Sequence, residues 1–126
     1  MAKRISIKME YMFRASPTIL FNFLTTPACL VRWFCDEADE LDETFYFGWS
    51  GSAQAATIVE FVEDELLRLH WEDSEPNEYW EYKIFRSPIT EETVMEITDF
   101  CDDDEAKDIR QIWNTRIAQR RSVRRL

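Results

Sequence analysis

The sequence predicts an α+β domain in which six antiparallel strands form a curved sheet around a long C-terminal helix. Three observations support this prediction: runs that alternate apolar and polar residues, short connections between consecutive runs, and an apolar stripe at helical spacing near the C-terminus. The predicted order is β-α-α-β-β-β-β-β-α. Helices this few and clustered exclude alternating βαβ units. The length of 126 residues fits one domain, which we assign to residues 1–126.

The N-terminal third contains one strand and two helices. Every second residue over 4–13 is apolar, which is typical of a half-buried strand. Ser16-Pro17 then predicts a helix start, with serine as the N-cap and proline at the first helical position. Thr26-Pro27 repeats this signal before a short second helix. The acid-rich stretch 36–43 is predicted to be a solvated connection.

The remaining strands and the last helix follow from the same patterns. Asp102 and Glu105 have the spacing of a capping box, so the final helix is predicted to start at Asp102 and to run for about 20 residues. A strongly bent sheet usually needs glycine, and the chain has only two, so the small residues of 53–56 are expected to allow the bend. The predicted strands after the second helix cover residues 44–49, 53–62, 66–72, 79–86 and 92–101.

The aromatic content is high, with five Trp, nine Phe and four Tyr. Rings of this size must be largely buried, or must line a ligand cavity. A filled aromatic core and a cavity both remain open at this point. The candidate cavity residues are Phe21, Trp33, Phe34, Phe45, Phe47, Trp49, Trp71, Trp80, Tyr82, Trp113 and Arg116.

No residue is assigned a catalytic or metal-binding role. His70 is the only histidine, and it falls on the outer face of its strand if Leu69 and Trp71 face inward. The three cysteines lack zinc-site spacing and are expected to be reduced thiols, mainly buried as small apolar groups. We therefore expect no metal, no cofactor and no catalytic residue.

The charge distribution constrains the partners. The net charge is −10, and every acidic residue precedes Arg110, whereas residues 110–126 are rich in arginine. An acidic body disfavours nucleic acid and anionic membranes. No apolar run is long enough to span a membrane. With no signal-peptide pattern and an odd number of cysteines, the sequence favours the cytoplasm.

Several segments together resemble the START-like (SRPBCC, Bet v 1-like or helix-grip) superfamily. Within it, the chain is most similar to bacterial homologues of the Hsp90 ATPase activator. The resemblance covers nearly the whole chain and rests on order and spacing rather than on one motif. Its segments are Ala15-Ser16-Pro17, Leu20-Phe21, Leu24-Thr25-Thr26-Pro27, Leu30 with Trp33-Phe34, Leu69 with Trp71, Thr98-Asp99-Phe100, Asp104-Glu105 and Ile112-Trp113.

The resemblance implies a cavity between the sheet and the long helix, and members of the family bind apolar ligands, act as cyclases or hydrolases, or contact other proteins. The first expectation is binding of an apolar or amphipathic small molecule or lipid. The alternative is a protein-interaction module, such as a homodimer, with outward-facing Tyr46, Tyr79 and Phe85 as contacts. The third expectation is an enzyme of the cyclase or hydrolase kind. Arg116 is expected to pair with Asp99 or with an anionic ligand head, and the basic segment 116–125 is expected to complement the helix dipole or contact an anionic partner.

Overall fold

A computed structural model describes the backbone of residues 2–125 and the side chains of residues 2–117. The expected contacts of the basic segment beyond Ile117 lie outside the described side chains. Within the described backbone, one antiparallel sheet has seven strands in the order β1-β7-β6-β5-β4-β3-β2. The elements are β1 (Arg4–Phe13), α1 (Pro17–Thr25), α2 (Pro27–Leu30), β2 (Glu37–Leu41), β3 (Thr44–Trp49), β4 (Ser52–Val62), β5 (Leu66–Trp71), β6 (Trp80–Arg86), β7 (Thr93–Asp102) and α3 (Ala106–Arg125).

The prediction of six strands is wrong by one, because the acid-rich stretch forms the edge strand β2. Its residues pair with β3, and a tight turn through Asp42 and Glu43, both with positive φ, joins the two strands. Only Ala38 of this strand packs against the core, so the sequence has no apolar alternation to reveal it. A charged edge strand also discourages pairing with other chains.

The start of α1 is confirmed. Ser16 is the N-cap, Pro17 is the first helical residue, and the Ser16 hydroxyl accepts a hydrogen bond from the Ile19 amide at 3.2 Å. The short helix α2 is tied to its neighbours by two tryptophans. The indole of Trp33 donates to the Phe23 carbonyl at 2.9 Å, and that of Trp49 donates to the Phe34 carbonyl at 3.0 Å. These bonds fix the segment after α2 against both α1 and β3.

The C-terminal helix lies against the sheet, as predicted, with Trp113 and Ile117 buried. Asp102 is the N-cap of the helical segment, as predicted, but the first turn, Asp103–Glu105, is 3₁₀ rather than α, and the Asp102 side chain makes no capping hydrogen bond. That carboxylate instead accepts a hydrogen bond from Arg4 at 3.2 Å. No helix among residues 2–125 is both long and apolar enough to cross a membrane.

Strand β4 contains a feature that bends the sheet outside the small residues of 53–56. A register shift between Ile58 and Glu60 marks a β-bulge in β4, and a bulge bends a strand and increases its twist without glycine. On the outer face, Tyr46 and Phe85 are exposed. They lie on β3 and β6, with two strands between them, while Tyr79 contacts Phe100 and Arg68. The three outward aromatic residues therefore do not form one patch.

The turn between β3 and β4 provides a test of local backbone strain. Gly51 has φ of +86° and no atom within 4 Å of an added Cβ, so Gly51→Ala adds strain without a clash. We expect it to lower the free energy of unfolding by about 1 kcal/mol, measured by urea denaturation. Ser52→Ala, at an exposed neighbouring position, is the control. Equal stability of the two variants would contradict the assignment of strain to Gly51.

Candidate functional site

The interior between sheet and helix is a cluster of aromatic rings centred on Phe34. Its ring lies 5.0–6.3 Å, between centroids, from five other rings. Deeper in, the space lined by Met95 and Ile117 does not admit a water molecule. This part of the interior is filled rather than hollow. The rings around Phe34 are Trp33, Phe47, Trp49, Trp80 and Trp113.

An open groove of about 500 Å³ lies above this cluster. One wall is the segment that follows α2, and the other is one face of α3, to which four residues contribute at positions i, i+1, i+4 and i+5. Trp49 of β3 completes the lining. Because these residues combine apolar side chains with arginines and an amide, the groove suits an amphipathic molecule. The lining residues are Val31, Arg32, Trp33, Phe34, Cys35, Asp36, Trp49, Gln111, Ile112, Thr115 and Arg116.

Of the three charged residues that line the groove, Arg116 is partly buried, whereas Arg32 and Asp36 are exposed. The guanidinium carbon of Arg116 lies 4.7 Å from the centroid of the Phe34 ring and 5.3 Å from that of Trp113, and both contacts are cation–π interactions. Burial lowers the pKa of Arg116, although the nearby Tyr82 and Asp99 oppose that shift. Among the ion pairs of the described residues, none involves Arg116.

The predicted pairing of Arg116 with Asp99 is not formed as a direct ion pair. One carboxylate oxygen of Asp99 accepts a hydrogen bond from the Trp113 indole at 2.9 Å, and the other accepts from the Phe100 amide at 2.8 Å. Burial raises the pKa of Asp99, and the two hydrogen bonds limit the rise. Asp99 and Arg116 therefore attract each other electrostatically without forming a direct ion pair.

Two further polar groups lie on the inner face beside Asp99. The Trp80 indole N–H is the only buried side-chain polar atom of the described residues that lacks a hydrogen-bond partner. The Tyr82 hydroxyl lies near it, outside hydrogen-bond geometry, and burial raises the pKa of Tyr82.

Burial also raises the pKa of the Cys35 thiol to about 11, so this cysteine is protonated and unreactive at neutral pH.

The eleven candidate residues divide among four places. Those that line the groove are Trp33, Phe34, Trp49 and Arg116. Those packed in the aromatic core are Phe45, Phe47, Trp80, Tyr82 and Trp113. Trp71 stacks on Trp80 and also lines a second, smaller pocket. Phe21 instead contacts Phe61, at 5.3 Å between ring centroids, and does not line the groove.

Sequence reasoning missed the other groove residues. Gln111, Ile112 and Thr115 share one helix face with Arg116. Of these three, only the apolar Ile112, which is exposed in the structure, could have indicated from the sequence that this face lines a groove. Arg32 and Asp36 lie in an irregular segment without a period, so no pattern could have assigned them. His70 forms no ion pair among the described residues. Its Nδ1 donates to the Glu78 carbonyl at 2.8 Å.

Comparison with known proteins places the chain in a family. The family model of the START-like superfamily domain matches residues 1–125. The chain belongs to the START-like superfamily. The resemblance stated from the sequence segments is thereby confirmed. A comparison with curated proteins gives no match.

Several solved structures share the fold of this chain. A Bacteroides fragilis protein, known from its solution structure, is 33% identical over 96% of this chain and 91% of its own, with a TM-score of 0.69. The Aha1 dimer from Colwellia psychrerythraea is 14% identical over 90% of this chain and 91% of its own, with a TM-score of 0.76. A Mesorhizobium loti protein is 11% identical over 91% and 93%, with a TM-score of 0.74. The last two show the fold alone.

Proposed function

We propose that this START-like domain binds a small amphipathic molecule with an anionic head, held in the groove between the segment after α2 and α3. The observation that supports this most is the desolvated guanidinium of Arg116, which has no ion-pair partner among the described residues. A partly buried charge without a direct ion-pair partner is costly, and the more distant Asp99 offsets that cost only in part. An anionic ligand head would provide that partner.

The rest of the groove fits the apolar part of such a ligand. Trp49 and the exposed side chains of Val31 and Ile112 offer apolar surface, while Gln111 and Thr115 offer hydrogen bonds. The filled core below limits the ligand to this groove. We assign no catalytic residue and no cofactor to this groove. The three free thiols support a location in a reducing compartment, the cytoplasm.

A fluorescence titration tests this proposal. Because Trp33 and Trp49 line the groove, their emission reports occupancy when decanoate, 1-decanol or decyltrimethylammonium is added. We expect saturable binding of decanoate, with weaker binding of the neutral and cationic chains. Arg116→Met should weaken decanoate binding about tenfold or more, which is the loss expected for one charge-assisted hydrogen bond. It should change the decanol affinity little.

The matched control is Arg14→Met. Arg14 is exposed and does not line the groove, so this variant loses the same charge elsewhere and should keep the decanoate affinity. Arg116→Met should fold normally, because the lost cation–π contact is offset by removal of a desolvated charge. The proposal is wrong if decanoate and decanol bind equally, or if both arginine variants lose affinity alike.

Homodimerisation is a second candidate function, supported by the similarity of this chain to a protein solved as the Aha1 dimer. The exposed Val31 and Ile112 beside the groove offer apolar surface that a second copy could cover. Light scattering during size-exclusion chromatography measures the mass directly. A dimer that Ile112→Asp converts to a monomer would favour this candidate, whereas a wild-type monomer would reject it.

A further inference from the structure

A second pocket, of about 190 Å³, lies where β7 approaches the loop between β5 and β6. It shares no lining residue with the groove. Three of its residues are aromatic, and a fourth, Asp99, contributes the carboxylate that hydrogen-bonds the Trp113 indole. The lining residues are Arg4, Trp71, Ser74, Glu78, Tyr79, Asp99 and Phe100.

The charges around this pocket do not cancel. Glu78 is neutralised by Arg4, which binds both of its carboxylate oxygens, and Arg4 also pairs with Asp102 at 3.2 Å. No described residue forms an ion pair with Asp99. Arg4, the only cation that lines the pocket, is thus shared between two other carboxylates, and Arg4 and Arg116 act on Asp99 only from beyond ion-pair distance.

Asp99 also keeps unused hydrogen-bonding capacity. A carboxylate offers about four lone-pair sites, and the indole of Trp113 and the amide of Phe100 each occupy one. The remaining sites accept N–H donors. The neighbouring rings of Trp71, Tyr79 and Phe100 provide apolar and π-surface, which attracts organic cations more than hydrated metal ions.

We propose that this pocket binds a small organic cation that carries N–H groups, a primary ammonium or a guanidinium, through Asp99. The cation provides the missing counter-charge, and its N–H groups occupy the free lone pairs of the carboxylate. The aromatic walls surround its short carbon chain. This inference does not depend on the proposed function of the groove, because the two pockets have separate lining residues.

The test uses two isomeric cations, n-butylammonium and tetramethylammonium, titrated into the wild-type protein labelled with ¹⁵N. The isomers share charge and atomic composition, but only the first has N–H groups. We expect n-butylammonium to produce saturable shifts of the indole N–H signals of Trp113 and Trp71 and of the Phe100 amide. Tetramethylammonium should bind more weakly by a factor of about ten or more. The Trp33 indole, which lines the groove, should not shift.

Two variants separate Asp99 from general electrostatic attraction. Asp99→Asn keeps an oxygen that can accept from the Trp113 indole but loses the charge, so saturable binding should disappear. Asp73→Asn removes the same charge from an exposed position in the adjoining loop, and binding should persist. Equal shifts by both isomers, shifts at Trp33 in place of Trp113, or retained binding in Asp99→Asn would each overturn the proposal. The isomer comparison needs no variant, so it remains decisive if Asp99→Asn does not fold.

Discussion

Replacement of Phe34 by alanine is expected to lower the free energy of unfolding by about 3–5 kcal/mol, the usual cost of removing a large ring from a core. The Phe34 side chain is 4% exposed, and its ring touches five others from α3, β3, β6 and the segment that contains it. No single neighbour can move into the space without breaking its own contacts. The loss also removes the cation–π contact to Arg116.

Urea denaturation of wild type and variants measures this effect. The control is Phe85→Ala, because Phe85 is 42% exposed on the outer face of β6. We expect that variant to lose about 1 kcal/mol or less. Since Phe34 also lines the groove, Phe34→Ala should reduce decanoate binding as well. Similar destabilisation of both variants would show that Phe34 does not organise the aromatic core.

The second large effect is expected from Arg4→Met, which breaks the ion pair between Arg4 and Glu78. The Glu78 side chain is only 7% exposed and is held by two hydrogen bonds from Arg4, so the variant leaves a buried carboxylate without its partner. Arg4 itself is 45% exposed, and water therefore screens part of the interaction. We expect a loss of about 1–2 kcal/mol at neutral pH.

The loss should depend on pH in a defined direction. Arg4 lowers the pKa of Glu78 below its ordinary 4.5, so the pair stabilises the folded state fully above that value. As the pH falls through the lower folded-state pKa, Glu78 is protonated and the contribution disappears. The difference in unfolding free energy between wild type and Arg4→Met should thus be largest near pH 7 and should decrease progressively as the pH falls below 4.5.

Lys8→Met is the matched control. Lys8 is 64% exposed and pairs with Glu96 at 3.5 Å, and exposed pairs of this kind contribute about 0–1 kcal/mol. Denaturation curves at several pH values compare the two variants. A loss in Arg4→Met that does not change between pH 7 and pH 3 would show that packing of the arginine stem, rather than charge, is responsible.

Much of the fold followed from local patterns. The alternation in β1, the Ser16-Pro17 start of α1 and the apolar stripe with Trp113 each depend on neighbours close in sequence, so they could be predicted. The edge strand β2 could not, because both its faces are largely exposed and its pairing with β3 comes from the backbone alone. The bulge at 58–60 was missed for a related reason, because one inserted residue does not produce a repeating pattern in the sequence.

Only part of the groove lining was predictable from the sequence: four of its eleven residues, Trp33, Phe34, Trp49 and Arg116, were among the candidates. Aromatic residues on inward faces identified the rings, and the position of Arg116 on α3 identified the charge. Which rings fill the core and which line the groove depends on the packing of α2, β3 and α3 together. The bond between Asp99 and Trp113 joins β7 to α3, and no spacing rule predicts it.

The amino-acid sequence by itself determined the α+β class, the order of most elements, the family resemblance and the aromatic character of the interior, because composition and periodicity can be read from the chain directly. Only the tertiary structure decided that the interior is filled beneath an open groove. It alone separated Arg116 from Asp99 and gave each a pocket of its own. Burial and electrostatic pairing depend on which distant side chains meet, and that depends on the packing of the whole sheet against α3.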